Sequence, residues 1–233
     1  MQVAAGRWLA LNCRVLSEWL DDSVEAFKRR HWGKTPFARP GAALAFVDRC
    51  RWGALHRVLA RASDVVIAEH GRAVDRPPPT DAASLQRCFA LGLGLVVRRV
   101  ERHDDDLADV ARALTDEIGG DVHLQLFATP PGQKMFGWHF DAEDVIVVQT
   151  EGSKHYVMRE NTVSKDARFD PQPDFALVRR ETSELSEVTL CVGDWLHIPS
   201  PWWHTAEALE ASLHLSIGVL RSRGMRKRFR RFR

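Results

Sequence analysis

Long apolar runs are missing from this 233-residue chain. None approaches the roughly 20 apolar residues that a membrane-spanning helix needs, so no such helix is expected. The opening segment MQVAAGRWLALNC has only a short, interrupted apolar run, and no secretory leader is expected from it. Cysteine is sparse and scattered. Cys13, Cys50, Cys88 and Cys191 form no CxxC pair, so neither a zinc ribbon nor a disulfide framework is expected. A reducing cytoplasm is the simplest compartment for such a chain. Internal repeats are lacking, as is any linker long enough to separate a pair of domains. With 45% hydrophobic and 27% charged residues, the composition is that of a globular protein and excludes wholesale disorder.

Charge is present in both signs but unevenly placed. The run RSRGMRKRFRRFR, Arg221 to Arg233, carries seven Arg and one Lys. Taking those eight charges from the net +2 leaves the remaining body at −6. A basic run beside an acidic body speaks of partners rather than of fold, and nucleic acid is one partner it would suit.

The first half reads as mostly helical. Ser17 to Arg29 predicts one helix, with Ser17 as its N-cap. HWGKTPFARPG, with two Pro and two Gly, predicts a loop. Arg51 to Arg61 predicts a second helix, DVVIAEH a short strand, and Thr80 or Asp81 the cap of a helix through about Leu91. GLVVRRV is strand-like. From Asp104 to Glu117 the apolar residues Leu107, Val110, Ala111 and Leu114 fall at helical spacing behind an acidic first turn. After Gly120 the texture changes to short β-type runs: VHLQLFAT, DVIVVQTE, KHYVM, DFALVRR, EVTLCV, DWLHIP and SLHLSIGVL. Strands at such spacing predict a barrel or jelly roll. The expected layout is mainly β with a helical N-terminal cover. Residues 1–120 form the cover, 121–220 the β core and 221–233 a basic tail.

The chemistry gathers in two segments. GWHFDAEDVIVVQ holds His139 and Asp141, and i and i+2 of a strand share a face. GDWLHIPSPWWHTAEAL offers His204, just after a strand. Two His and one carboxylate form the facial triad of non-haem iron oxygenases, with positions left open for cosubstrate and oxygen. A second HxD, His103 and Asp105, falls at a charged helix start, where i and i+2 do not share a face; it reads as a solvated cap.

The surrounding residues resemble a known family. FKRRHWGKTPFARPG, ATPPGQKMFGWHFDAEDVIVVQTEGSKHYVM, GDWLHIPSPWWHTAEAL and SLHLSIGV are similar, in order, to the motifs of JmjC-type cupins of the ribosomal-oxygenase branch, related to the factor-inhibiting-HIF hydroxylase. The resemblance covers about Phe27 to Leu220. It implies a double-stranded β-helix, Fe(II), 2-oxoglutarate as cosubstrate and molecular oxygen. It implies His139, Asp141 and His204 as metal ligands, and Lys154 as the cation for the distal carboxylate of 2-oxoglutarate. Ser216 matches a hydroxyl position that also contacts the cosubstrate. Lysine is rare here, six against 27 Arg, which gives Lys154 added weight.

Two departures stand out. Relatives place a cosubstrate-binding Tyr twelve residues before the first metal histidine; here that residue is Phe127. Gln125 or Thr129, which share the strand face of Phe127, are candidates to supply the missing donor. The family also continues into a helical dimerisation region and a winged helix, whereas only the basic run follows Leu220. That shorter form would suit an enzyme acting on a small peptide or a natural-product precursor. The implied reaction is hydroxylation of an amino-acid side chain in a peptide or protein. Hydroxylation of an RNA nucleoside or small molecule, and a metal-binding cupin without turnover, are the competing readings. Trp202, Trp203, His197, His214 and Gln149 read as packing residues, Trp138 as a residue of the substrate mouth, and Cys191 as a buried hydrophobe.

Overall fold

A two-residue alternation organises the β half. On β5 (Asp121–Thr129), Leu124, Leu126 and Ala128 are fully buried in an apolar cluster, while His123, Gln125 and Phe127 point the other way. On β11 (Ser212–Leu220), Leu213, Leu215, Ile217 and Val219 join that cluster, and His214 and Ser216 face away from it. On β6 (Asp144–Glu151), Ile146 and Val148 take the apolar side and Val145 and Val147 the other. The computed structural model describes residues 14–163 and 175–220. The basic run at 221–233 lies outside the described residues.

The remaining strands are β1 (Phe37–Arg39), β2 (Val65–Glu69), β3 (Arg72–Val74), β4 (Gly94–Arg98), β7 (Lys154–Arg159), β8 (Leu185–Leu190), β9 (Trp195–Ile198) and β10 (Trp203–Ala208). One eight-stranded sheet runs β1-β9-β6-β11-β5-β4-β2-β3, and a second runs β10-β7-β8. Every pairing is antiparallel. The two sheets make a double-stranded β-helix, the architecture that the resemblance implies.

Helices cover the apolar face of the large sheet: α1 (Leu16–Trp19), α2 (Val24–Arg30), α3 (Trp52–Leu59), α4 (Ala82–Ala90) and α5 (Asp105–Ile118). A further helix, α6 (Phe175–Arg180), lies between β7 and β8 in the chain. Asp104 caps α5 by accepting from the Leu107 N–H, and Asp105 and Asp106 add negative charge at the positive end of the helix dipole. Leu107, Val110 and Leu114 of α5 pack in the same cluster as Leu124, Leu126 and Leu215. No helix among the described residues is long and apolar enough to cross a membrane.

Four local expectations need correction. The helix expected over Ser17–Arg29 is broken at Leu20–Ser23, because Asp21 and Asp22 leave the first helix and Ser23 starts the second as its N-cap. Ser17 is therefore not a cap; its amide and that of Leu16 donate to the Glu117 carboxylate at the far end of α5. The segment expected as a loop contains β1, whose Phe37–Arg39 pairs with Trp195–His197. DFALVRR is helical from Phe175, not extended. Cys191 is exposed: β8 ends at Leu190, and the Asp194 carboxylate draws the Cys191 N–H into a turn.

Leu215→Ala should lower stability by about 2–5 kcal/mol, as expected for a leucine with no exposed surface. Because its side chain faces the helices, the opposite sheet face should keep its shape. Denaturant melts measure the first effect, and the variant's ligand affinities measure the second.

Candidate active site

Between the two sheets lies a cavity of about 1040 Å³. The large sheet lines it with His123, Gln125 and Phe127, Val145 and Val147, and His214 and Ser216; the small sheet adds Lys154, Tyr156, His204 and Ala206. The polar face left by the two-residue alternation is thus the inner wall.

In one corner of this wall, His139, Asp141 and His204 place one donor atom each within 4.8 Å of one another. His139 and Asp141 do not share a regular strand, as the sequence suggested. They lie in the extended segment before β6. One two-way main-chain bridge fixes this segment, with His139 N–H to His204 O at 3.1 Å and His204 N–H to His139 O at 2.8 Å. Ser200 Oγ holds the Asp141 carbonyl at 2.9 Å. His204 follows β9, as expected, and is itself the second residue of β10.

The ring orientations settle the tautomers. His139 Nδ1–H donates to Gly137 O at 2.8 Å, and His204 Nδ1–H to Trp202 O at 3.1 Å. A carbonyl can only accept, so each Nδ1 carries the hydrogen of these bonds, which leaves Nε2 as the nitrogen each ring can offer to a metal. Burial, helped by the neighbouring His139, lowers the His204 pKa to about 4, with Asp141 opposing. His204 is therefore neutral at ordinary pH. Two imidazoles backed by carbonyls, together with one carboxylate, fit a divalent iron ion in both donor type and supporting hydrogen bonds.

Gly137 is itself held from behind. Its N–H donates to Gly71 O at 3.2 Å, in the turn joining β2 and β3. Gly71 has φ +82°, and a Cβ there would lie 3.1 Å from Gly137 N. The turn and the His139 segment therefore touch backbone to backbone, which only glycine permits.

Lys154 is 1% exposed, and no carboxylate pairs with it among the described residues. Its Nζ donates to Thr129 Oγ1 at 2.8 Å and lies 3.3 Å from His214 Nδ1. Burial lowers its pKa to about 7. A buried cation facing a cavity without a counter-charge is a receptor for an anion. Ser216 and Gln125 face each other across β11 and β5 and both line the cavity. Thr129 does not line it; its hydroxyl holds the Lys154 ammonium instead.

The other expectations fall out individually. His197 is fully buried, bonded to Asp144 at 3.1 Å and stacked on Trp32 at 5.0 Å. Gln149 Nε2 donates to Glu151 O and Ser212 Oγ, away from the cavity. Trp203 is buried, and Trp202 Nε1 bonds Lys34 O. Trp138 lines the cavity. His214 is not simple packing: it lines the cavity, stacks on Phe127 at 4.8 Å and touches Lys154. Tyr156 went unnoticed in the sequence. The signals were there, since His214 shares a strand face with Ser216, and Tyr156 with Lys154.

Comparison with known proteins adds a family. A family model, the JmjC domain, matches residues 99–226. Ribosomal oxygenase 1 of Gallus gallus is 31% identical over 110 residues, 45% of this chain and 18% of the relative. Ribosomal oxygenase 2 of Bos taurus is 28% identical over 125 residues, covering 52% and 26%. The crystal structure of Escherichia coli YcfD matches with a TM-score of 0.66 at 21% identity, covering 88% of this chain and 54% of that one. A YcfD structure described as a ribosomal oxygenase in complex with cobalt and 2-oxoglutarate matches with a TM-score of 0.65 at 23% identity, covering 91% and 55%. The chain thus spans under a third of these curated relatives and about half of the solved neighbours.

Gly71→Ala should weaken metal binding by about 10- to 100-fold, the usual effect of disturbing a group that supports a ligand. Gly132→Ala, at φ +70° with nothing within 4 Å of the added Cβ, should leave it unchanged. Co(II) titration of both variants is the measurement, and equal affinities would remove the proposed backing role of Gly71.

Proposed function

Because the chain belongs to the JmjC domain family, we propose that it is an Fe(II)- and 2-oxoglutarate-dependent oxygenase hydroxylating an amino-acid side chain of a peptide or protein. The observation that carries this reading is one cavity lined by both a two-histidine, one-carboxylate cluster and a buried lysine lacking an anionic partner. Its relatives' names make a ribosomal protein the first substrate to try.

In this reading His139, Asp141 and His204 hold the iron. The bound metal supplies the redox chemistry, activating molecular oxygen as 2-oxoglutarate is decarboxylated to succinate and carbon dioxide. The protein's own residues do the placing. Gly137 and Trp202 carbonyls hold the two imidazole rings in orientation through their Nδ1 atoms. Lys154 pairs with the distal carboxylate of 2-oxoglutarate, and Thr129 fixes the ammonium's position. Ser216 and Gln125 offer hydrogen bonds from the opposite sheet. Trp138, Phe136 and Phe140 line the cavity beside the metal cluster, where they exclude water and receive the substrate side chain.

The direct test is succinate release with Fe(II), 2-oxoglutarate, ascorbate and a ribosomal-protein or peptide panel, with a +16 Da product sought by mass spectrometry. Substrate-stimulated turnover should vanish in His139→Ala and Asp141→Ala; normal turnover in either would overturn the assignment. Lys154→Ala should lose about 30-fold or more in 2-oxoglutarate affinity while keeping its metal, since breaking a buried charge pair costs roughly 2–5 kcal/mol. Lys154→Arg should lose less, because it keeps the charge and the donors.

The lysine also sets a pH dependence. With its pKa lowered to about 7, Lys154 is increasingly neutral in the free protein as pH rises above 7. A carboxylate partner favours the charged form, so binding above pH 7 takes up a proton and affinity falls as pH rises. Calorimetry at pH 8 in buffers of different ionisation heats should show this uptake. Heats independent of buffer would contradict it.

A further inference from the structure

Tyrosine occurs once in the 233 residues, at position 156. Its side chain is 3% exposed, it lines the cavity, and its hydroxyl has no hydrogen-bond partner. A phenol left unpaired in a protein interior is costly. Among the described residues that line the cavity, only Tyr156 and His123 carry a buried polar side-chain atom without a partner, the hydroxyl and Nδ1 respectively. His123 is bonded through its other nitrogen to Glu143 at 3.1 Å. Tyr156 has one polar side-chain atom and nothing attached to it.

Its place on the wall is specific. Lys154, Tyr156 and Met158 are the inward-facing residues of β7, and they lie opposite Ala208, Ala206 and His204 of β10. Tyr156 therefore stands between the cation and the strand position opposite a proposed metal ligand. Its ring lies 6.4 Å from that of His214, which touches both Lys154 Nζ and the face of Phe127. Phe127, His214, Lys154 and Tyr156 are thus linked across the two sheets, and Phe127 is the position whose side chain lacks the expected hydroxyl. Burial pushes the Tyr156 phenol up, so it stays protonated and donates.

We propose that the Tyr156 hydroxyl donates a hydrogen bond to the distal carboxylate of 2-oxoglutarate, beside Lys154, and so replaces the donor that Phe127 lacks. The inference rests on the reading that Lys154 binds this carboxylate. Thr129 is then not needed for the role, since its hydroxyl is committed to Lys154, whereas Tyr156 shares with Lys154 the inward face of β7.

The test uses the full chain loaded with Zn(II), so that no turnover occurs. Two probes are titrated by calorimetry: 2-oxoglutarate, and 2-oxopentanoate, which lacks the distal carboxylate. Tyr156→Phe should bind 2-oxoglutarate on the order of tenfold more weakly, the usual effect of losing a hydrogen bond to a charged group. It should bind 2-oxopentanoate as the parent chain does. A second readout needs no variant. With tyrosine labelled at Cζ, the single NMR signal should shift when 2-oxoglutarate binds and not when 2-oxopentanoate binds. If Tyr156→Phe matches the parent, or weakens both probes equally, or if the signal does not move, the proposal is wrong. Lys154→Ala separates the two levels. Weakened binding there with an inert Tyr156 overturns this inference alone, whereas unchanged binding in Lys154→Ala overturns the reading beneath it.

Discussion

The two-residue period of β5, β6 and β11 is the constraint on which this molecule depends. Each strand gives its odd or even positions to a leucine-, isoleucine- and valine-rich face packed under α5, and the alternate positions to the cavity. A slip of one residue would exchange the faces, placing His214 and Ser216 against helices and Leu213 and Leu215 in the cavity. Stability and chemistry are therefore specified by the same register. The helical face holds that register in place, since every leucine on it would have to leave the core before a histidine could turn away from the cavity.

Upon that wall the polar groups are supported from behind rather than from within the cavity. The two histidines direct their Nδ1–H groups to main-chain carbonyls, and Lys154 directs one donor to Thr129. What they present inward is still available: two lone pairs, a carboxylate, and a positive charge with no counter-charge. An interior of this kind is stabilised by what enters it. Under the proposed reading, the cost of burying Lys154 and the Tyr156 hydroxyl would be offset by an acidic ligand.

The β core was legible because its strands alternate over long stretches, and the helix over Asp105–Ile118 because its apolar residues repeat at helical spacing behind a capping aspartate. The i, i+2 strand rule pairs His139 with Asp141 although both lie outside a regular strand, and the resemblance implies the grouping with His204. The short elements were illegible for a physical reason. DFALVRR has too few residues for its period to separate helix from strand, and β1 exists only because β9 offers an edge to pair with. Cys191 was misjudged because an apolar run continues past the end of β8 into a turn governed by Asp194. His214 reads as packing because only assembly of the two sheets puts it beside Lys154, while Tyr156 shares a strand face with Lys154 but carries no motif of its own.

The bridge between His139 and His204 joins positions 65 residues apart, and the Gly71–Gly137 contact reaches back a further 66. During synthesis the site therefore has no early form. A nascent chain that has emerged only as far as β7 carries His139, Asp141 and Lys154 but neither the strand that pins them nor the third donor. Closure of such long loops is slow, and contacts of this separation form late. A metal ion held by all three donors would therefore have to wait until β10 has joined β7.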